Sequence, residues 1–317
     1  GPGRASVSKP SGGGYPRAAM AMSIEPSPLA LPLPGGQSGA FVTLRPLLGG
    51  EILCPPGLLS RPPGRFPRLR TLRSKRDTWS YIPVPAFLVE HPGAGLVLID
   101  TALHHSVAVE PKESFGSLLA RFYTFRMEPE QALPAQLRAL GRSPGEVGTV
   151  VMTHLHNDHA SGVAEFPDAT FVVDAAEWTA ATTLPPTRNG YVRRQFDYAF
   201  DWRTVDYDAP DVDSFASFAR TVDLFGDGSV RLLSTPGHTA GHQSVLLRLA
   251  GREALLTGDA AYLRASLDGT AEPLLAHDRH RYERSLKEIR RYLGTTPGAL
   301  VITGHDAELW AGLDPAY

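Results

Sequence analysis

The chain has 317 residues, 42% of them hydrophobic, with 31 Lys and Arg against 33 Asp and Glu and a net charge of −2. That length buries one large core or two small ones. Such an even balance supplies no broad positive field for a nucleic-acid backbone, and no run approaches the ~20 apolar residues of a membrane helix, so neither nucleic acid nor membrane is expected as a partner. The single cysteine, Cys54, rules out an internal disulfide and fits a reducing compartment; a cytoplasmic location is expected.

The first 40 residues hold 15 Gly or Pro without apolar periodicity and read as a flexible tail ahead of one domain over 41–317. The apolar piece around Met20 and Met22, broken by Ser23 and Glu25, is too short for a secretory signal. Gly1-Pro2-Gly3 reads as a cloning remnant, which puts the natural start at Met20 or Met22. Between Pro55 and Arg76, residues Arg61, Arg65, Arg68, Arg70, Arg73, Lys75 and Arg76 stand almost without acids. This stretch reads as a solvated loop or, alternatively, as a rim that attracts anions.

From Phe41 onward the pattern is globular. Tyr81–Glu90 and Gly95–Ile99 predict buried strands joined by a turn at Pro92-Gly93. Pro129–Leu140, with Ala132, Leu133, Leu137 and Leu140 at helical spacing and Gly141 beyond, predicts one helix. Val147–Met152 predicts another buried strand. The acidic, aromatic piece Asp197–Asp213 reads as a long surface insertion. Gly228–Leu233, Gln243–Leu249, Glu253–Thr257 and Ala299–Thr303 repeat the strand signal, and His280–Leu293 predicts the last helix. The alternation of the two types makes the class mixed α/β.

Where the strand at Val147–Met152 runs out, Thr153-His154-Leu155-His156-Asn157-Asp158-His159 packs three of the 11 histidines and a carboxylate into six positions. An extended segment points residues i and i+2 to one side, so His154 and His156 can present two imidazoles to one cation, while Asp158 and His159 fall past the bend and can face a second. Three further strand candidates end in the same way: Thr235-Pro236-Gly237-His238, Thr257-Gly258-Asp259 and Thr303-Gly304-His305. Strand ends that deliver His and Asp to one sheet edge are how an α/β protein builds a site. The expected arrangement puts His154, His156 and His238 on one metal and Asp158, His159 and His305 on the other, with Asp259 bridging. Nitrogen and oxygen donors without thiolate suit two divalent transition-metal ions, zinc first and iron, cobalt or manganese as alternatives.

At these residues the chain resembles the metallo-β-lactamase superfamily and, within it, the N-acyl-homoserine lactone lactonases, over about residues 80–317. The narrower resemblance rests on Thr235-Pro236-Gly237-His238-Thr239-Ala240-Gly241-His242-Gln243-Ser244, on Gly258-Asp259-Ala260-Ala261-Tyr262 and on Gly304-His305-Asp306. It implies an α/β four-layer αβ/βα sandwich with a dinuclear site along one edge of its inner sheets. It also implies a place against the substrate carbonyl for Tyr262, three residues beyond the bridging aspartate, and supporting places for His242 and for Asp100 in Leu98-Ile99-Asp100-Thr101. Ala102 stands where a glycine is common, and Asn157 where the lactonases often carry a larger apolar residue, which bears on acyl-chain preference. By analogy with similar lactonases, a homodimer is expected.

Among relatives, the β-lactamases lack a bridging aspartate and some use a cysteine ligand, whereas Asp259 is present here and Cys54 is far from every motif in sequence. Glyoxalase II enzymes carry a C-terminal glutathione-binding region, and few residues follow His305. A lactone or ester hydrolase of small molecules remains, with phosphotriester hydrolysis as the alternative and a metal-binding, non-catalytic scaffold as the reading from another class. In the expected mechanism the metal pair activates a bridging hydroxide and polarises the lactone carbonyl, Tyr262 donates to the developing oxyanion, and Asp158 passes a proton to the departing alkoxide. Phe115, Phe122, Tyr123 and Phe125 are the candidates for an apolar acyl groove, with ordinary core packing as the other account of them.

Overall fold

A computed structural model describes residues 22–183, 189–210 and 212–317. The cloning-remnant reading of Gly1-Pro2-Gly3 and the start at Met20 lie outside the described residues. Eight strands form the first sheet: β1 (Ser27–Pro28), β2 (Thr43–Cys54), β3 (Ser80–His91), β4 (Gly95–Ile99), β5 (Phe125–Arg126), β6 (Val147–Val151), β7 (Thr170–Asp174) and β8 (Asp201–Val205), in the order β1-β8-β7-β6-β4-β3-β2-β5. Six form the second: β9 (Asp213–Phe215), β10 (Phe218–Asp223), β11 (Val230–Ser234), β12 (Gln243–Leu249), β13 (Arg252–Leu256) and β14 (Leu300–Ile302), in the order β14-β13-β12-β11-β10-β9. Every strand predicted from hydrophobic runs is present within two residues of its expected ends.

The sheets pack face to face. Val89, Val97, Ile99, Val151 and Val172 of the first interlock with Val222, Leu232, Val245, Leu247 and Leu256 of the second in one buried cluster. The opposite face of the first sheet (Leu88, Leu98, Val150, Phe171) is covered by Phe115, Leu133, Leu137 and Trp178, and that of the second (Leu233, Leu246, Leu255) by Ile289 and Tyr292 of the helix Arg279–Thr295. The result is the four-layer αβ/βα sandwich. Strands β4 and β6 are parallel, as are β13 and β14, and β11 is related to β13 by two antiparallel steps through β12. The C-terminal ends of the strands in each group therefore emerge on the same side of their sheet.

Three expectations are corrected. The Pro129–Leu140 helix is broken at Ala132, with a 3-10 turn over Pro129–Gln131 and an α-helix only over Leu133–Ala139. Pro134 has no N–H for the Glu130 carbonyl, and in a continuous helix its ring collides with that carbonyl. The acidic piece Asp197–Asp213 is not a surface insertion: it supplies β8, whose Trp202 is 1% exposed and stacks 4.7 Å from Phe171. Asp201, Asp206, Asp208 and Asp213 lie outward while Trp202, Val205 and Tyr207 point into the core. The described part of the tail is not free either. Residues 22–40 lie along the body: Ser27 and Pro28 pair with β8, and the Leu33 N–H donates to the Leu224 carbonyl at 2.8 Å.

Because Trp202 fills the space between Phe171 and Trp178, Trp202→Ala should cost about 3–5 kcal/mol in denaturant unfolding, whereas a side chain on a solvated insertion would change stability by no more than about 0.5 kcal/mol.

Candidate metal centre

Beyond β6, the Thr153 N–H and hydroxyl donate to Asp100 Oδ1 and Oδ2, each at 2.7 Å, and Asp100 Oδ2 lies 2.8 Å from His159 Nδ1. Asp100, at the end of β4 with φ +58°, thus fixes both ends of the histidine-rich loop. Beyond β11, Gly237 holds φ +133° and any Cβ there would meet the Tyr282 backbone nitrogen at 2.1 Å, so only glycine lets the chain turn to present His238. Beyond β13, Gly258 brings the Asp259 N–H within 3.0 Å of His242 Nε2. His242 is therefore a hydrogen-bond acceptor beneath the aspartate and stands outside both donor groups. Beyond β14, His305 Nδ1 donates to the Pro83 carbonyl at 2.8 Å, which turns its Nε2 inward, 3.2 Å from Asp259 Oδ1.

Two sets of donor atoms result, each within 4.8 Å among themselves: His154, His156, His238 and Asp259, and Asp158, His159 and His305. Asp259 faces both. Its Oδ2 is 3.1 Å from His238 Nε2 and 3.6 Å from His154 Nε2, while its Oδ1 is 3.2 Å from His305 Nε2 and 3.5 Å from His159 Nε2. The rings of His156 and His238 point nitrogen at nitrogen, 2.9 Å apart.

These residues fit a pair of cations. His154 Nε2, His159 Nε2 and Asp259 Oδ1 are buried without a hydrogen-bond partner, a costly state that a metal ion relieves. Burial holds the pKa of His154 and of His156 well below the usual imidazole range and keeps both neutral, the form that binds metal. Burial also opposes charge on His159 and on Asp259, yet the surrounding carboxylates raise His159 well above its ordinary value, and His305, His159 and His238 hold Asp259 well below its own.

The centre opens into a cleft of about 620 Å³. Tyr262 lines it, with its hydroxyl 3.1 Å from His238 Nδ1. Asn157 also lines it; its Nδ2 donates to the Gly190 carbonyl at 2.8 Å and more weakly to the Tyr123 hydroxyl at 3.4 Å. Of the four candidate groove aromatics, Phe122 and Tyr123 reach the cleft. Phe115 and Phe125 do not: Phe115 is 3% exposed, and its ring packs at a tilt 4.7 Å from Phe125 and 5.6 Å from Tyr123. Much of the cleft wall comes instead from Pro55–Arg76, which is not a plain solvated loop. It forms the short helices Pro56–Leu59 and Pro67–Leu72, with Leu58, Leu59 and Leu72 on the cleft and Arg68 beside them.

Two residues here escaped the sequence reading. Cys54, remote in sequence, lines the same cleft, and burial, with the Asp158 charge, pushes its thiol up to about 12. Glu177, wholly buried on the helix Ala175–Thr183, accepts from the Leu155 N–H at 2.9 Å and the Gly241 N–H at 3.1 Å, so one carboxylate spans the loops that carry His154, His156 and His238. An acid flanked by Ala175, Ala176 and Trp178 in a segment otherwise fit for burial was its only sequence signal.

Residues 81–305 match the profile of the metallo-beta-lactamase superfamily. The chain belongs to that superfamily. It is 35% identical to the N-acyl homoserine lactonase AttM of Rhizobium radiobacter, over 74% of this chain and 86% of that protein, and 31% identical to the probable metallo-hydrolase Rv2300c of Mycobacterium tuberculosis, over 68% and 72%. Its fold superimposes on a solved N-acyl homoserine lactone hydrolase with N-hexanoyl-L-homoserine at the catalytic metal centre (TM-score 0.68, 21% identity, 86% of this chain and 96% of that one). It likewise matches AidC, a dizinc quorum-quenching lactonase (TM-score 0.58, 16% identity, 87% and 90%). No helix among the described residues is long and apolar enough to cross a membrane.

Elemental analysis of the purified, reconstituted protein should find close to two transition-metal ions per chain in this centre, and Asp259→Ala should lose metal and melt at a lower temperature, because metal-binding free energy is folding free energy. One ion in the wild type, or an unchanged melt with metal retained in the variant, would contradict the shared carboxylate. Glu177→Gln keeps shape but turns an N–H donor toward a backbone N–H. It should cost about 1–3 kcal/mol in unfolding and weaken metal retention by ~10-fold to ~100-fold in competition with a chelator.

Proposed function

We propose that this protein opens the lactone ring of N-acyl homoserine lactones by metal-dependent hydrolysis, the activity that silences quorum signals. The observation that carries this reading is Asp259, with one oxygen toward each set of imidazoles, at the floor of a cleft that also presents Tyr262; the 35% identity to a lactonase over most of both chains supports the choice of substrate. His154, His156 and His238 would hold one ion and Asp158, His159 and His305 the other, with Asp259 shared; nitrogen and oxygen donors favour zinc. Bound there, two divalent cations supply the positive charge that makes water a nucleophile near neutral pH and polarises the ester carbonyl.

The chain's own groups supply the rest. With His238 Nε2 turned to the centre, its Nδ1 carries the proton and donates to the Tyr262 oxygen at 3.1 Å. The Tyr262 hydrogen is then free to point at the substrate oxygen as negative charge grows on it. Burial raises the phenol well above its ordinary pKa, so that hydrogen stays in place. Asp158 is more accessible than Asp259, with 18% of its side chain exposed against 4%; it would take up the proton that the attacking water gives up and pass it to the departing ring oxygen. Leu58, Leu59, Trp79, Ile82 and Phe122 offer an apolar wall for the acyl chain, with Asn157 near its start.

Metal-quantified protein, assayed against short-chain and long-chain homoserine lactones, γ-lactones, aryl esters and paraoxon, should favour the homoserine lactones in kcat/KM. Tyr262→Phe should lower that value by ~5-fold to ~150-fold, about 1–3 kcal/mol, with metal content unchanged. Equal kcat/KM in both proteins would remove the hydroxyl from the mechanism. Turnover of esters or paraoxon without any lactone opening would move the activity to that class, and a metal-loaded protein silent on the whole panel would make it a scaffold.

A further inference from the structure

A third set of donors lies behind the centre, on the two loops that leave it. Strand β4 runs through Asp100 into His104 and His105, and the chain beyond His159 runs into the 3-10 turn Val163–Glu165. Backbone-anchored hydrogen bonds tie these loops: the Thr101 N–H and hydroxyl donate to the His159 carbonyl at 3.0 and 2.7 Å, the Gly162 N–H to the Ala102 carbonyl at 3.1 Å, the His104 N–H to Ser161 Oγ at 3.0 Å and the His105 N–H to Glu165 Oε1 at 2.9 Å.

On this double loop His104, His105 and Glu165 each bring one donor atom within 4.8 Å of the other two. Glu165 Oε1 lies 2.8 Å from His105 Nδ1, close to the separation of about 3 Å that two donors adopt on one ion at 2.0–2.2 Å from each. The two imidazole rings approach to 4.0 Å between centroids, an arrangement unfavourable for two imidazolium ions. The Glu165 side chain is only 4% exposed, yet its Oε2 is buried with no hydrogen-bond partner. A plain His–Glu pair would leave that oxygen unsatisfied; a cation beside the carboxylate would not. Burial lowers the His104 pKa to about 4, so this ring is neutral across the physiological range; its Nδ1 accepts from the Ser106 N–H at 3.2 Å and lies 2.8 Å from Ser106 Oγ, and an ion on Nε2 would move the ring proton to Nδ1, with Ser106 Oγ as its acceptor. The His105 side chain, 64% exposed, leaves the position open to solvent.

We propose that His104, His105 and Glu165 form a third divalent-cation site, separate from the seven-residue centre, that takes a transition metal of the zinc or nickel type with water completing its shell. Imidazole and carboxylate donors suit those ions, and three protein donors leave room for exchangeable solvent. An ion there pins the loop that carries Asp100 to the loop that follows His159, so its occupancy stiffens the supports of the centre without touching substrate. The site stands whether or not the substrate is a lactone.

The test uses the full chain already holding its two tight ions. Equilibrium dialysis against Zn2+, and separately Ni2+, should reveal one further equivalent per chain and a rise in melting temperature as it binds. His105→Asn, on an exposed ring, and Glu165→Gln, of the same shape, should each keep the first two equivalents. Each should weaken the third by at least ~10-fold, the loss that follows removal of even an outer partner, and abolish the rise in melting temperature. Saturation of the wild type at two equivalents would overturn the proposal, as would a third equivalent whose affinity is the same in both variants.

Discussion

The carboxylate of Asp259 sits among inward-facing imidazoles of His154, His159, His238 and His305, and nearly everything around it serves to make that burial tolerable. A charged group removed from water needs close partners of opposite sign or several donors. Here the carboxylate has the ring nitrogens, while the Asp259 backbone N–H donates to His242. The same demand passes outward. Each inner nitrogen is available only because the other nitrogen of its ring is tied, in His159 by Asp100, in His305 by the Pro83 carbonyl, and in His238 by Tyr262. A set of rings fixed in this way cannot be carried on flexible loops. It needs strand ends locked between two packed sheets, and the parallel pairings of β4 with β6 and β13 with β14 supply them.

The cleft above the centre follows a different logic. Its wall is drawn from short helices within Pro55–Arg76 and from the turn that carries Phe122, where side chains such as Leu72 and Phe122 stay largely in solvent. Chemistry is thus anchored to the rigid part of the fold, and the surface that meets the variable part of a ligand to the part that can change at low cost to stability. The basic side chains of this stretch share the cleft wall with apolar ones, as at Arg68 with Leu58 and Leu72.

How much of this the sequence disclosed depends on the range of the interaction. His154-x-His156-x-Asp158-His159 lies on one short segment and its pattern is local, so the donors could be read without a fold. The strands that end at His238, Asp259 and His305 carry the short apolar runs Leu232-Leu233, Ala254–Leu256 and Leu300–Ile302 and are equally plain. Strand β8 was hidden because Asp201 and Arg203 alternate with Trp202 in a stretch dominated by acids, and only pairing with β7 shows which face is buried. Likewise, nothing in the order of residues says that Phe115 and Phe125 pack against Tyr123, that Cys54 returns to the cleft, or that Glu177 reaches two loops at once. Those are consequences of contacts between segments far apart in the chain, which a local pattern does not encode.

The sheet margins have a further consequence. The first sheet ends in β1 and β5, of two residues each, and the second in β9 and β14, of three residues each. A row of unpaired N–H and C=O groups is what lets one sheet recruit a strand from a neighbouring molecule, and each of these terminal strands is too short to present a long one. In β1 the last residue is a proline, which has no N–H to offer at all. Ser27 and Pro28 thus work at that margin as a selvedge, the bound border that keeps a woven cloth from fraying.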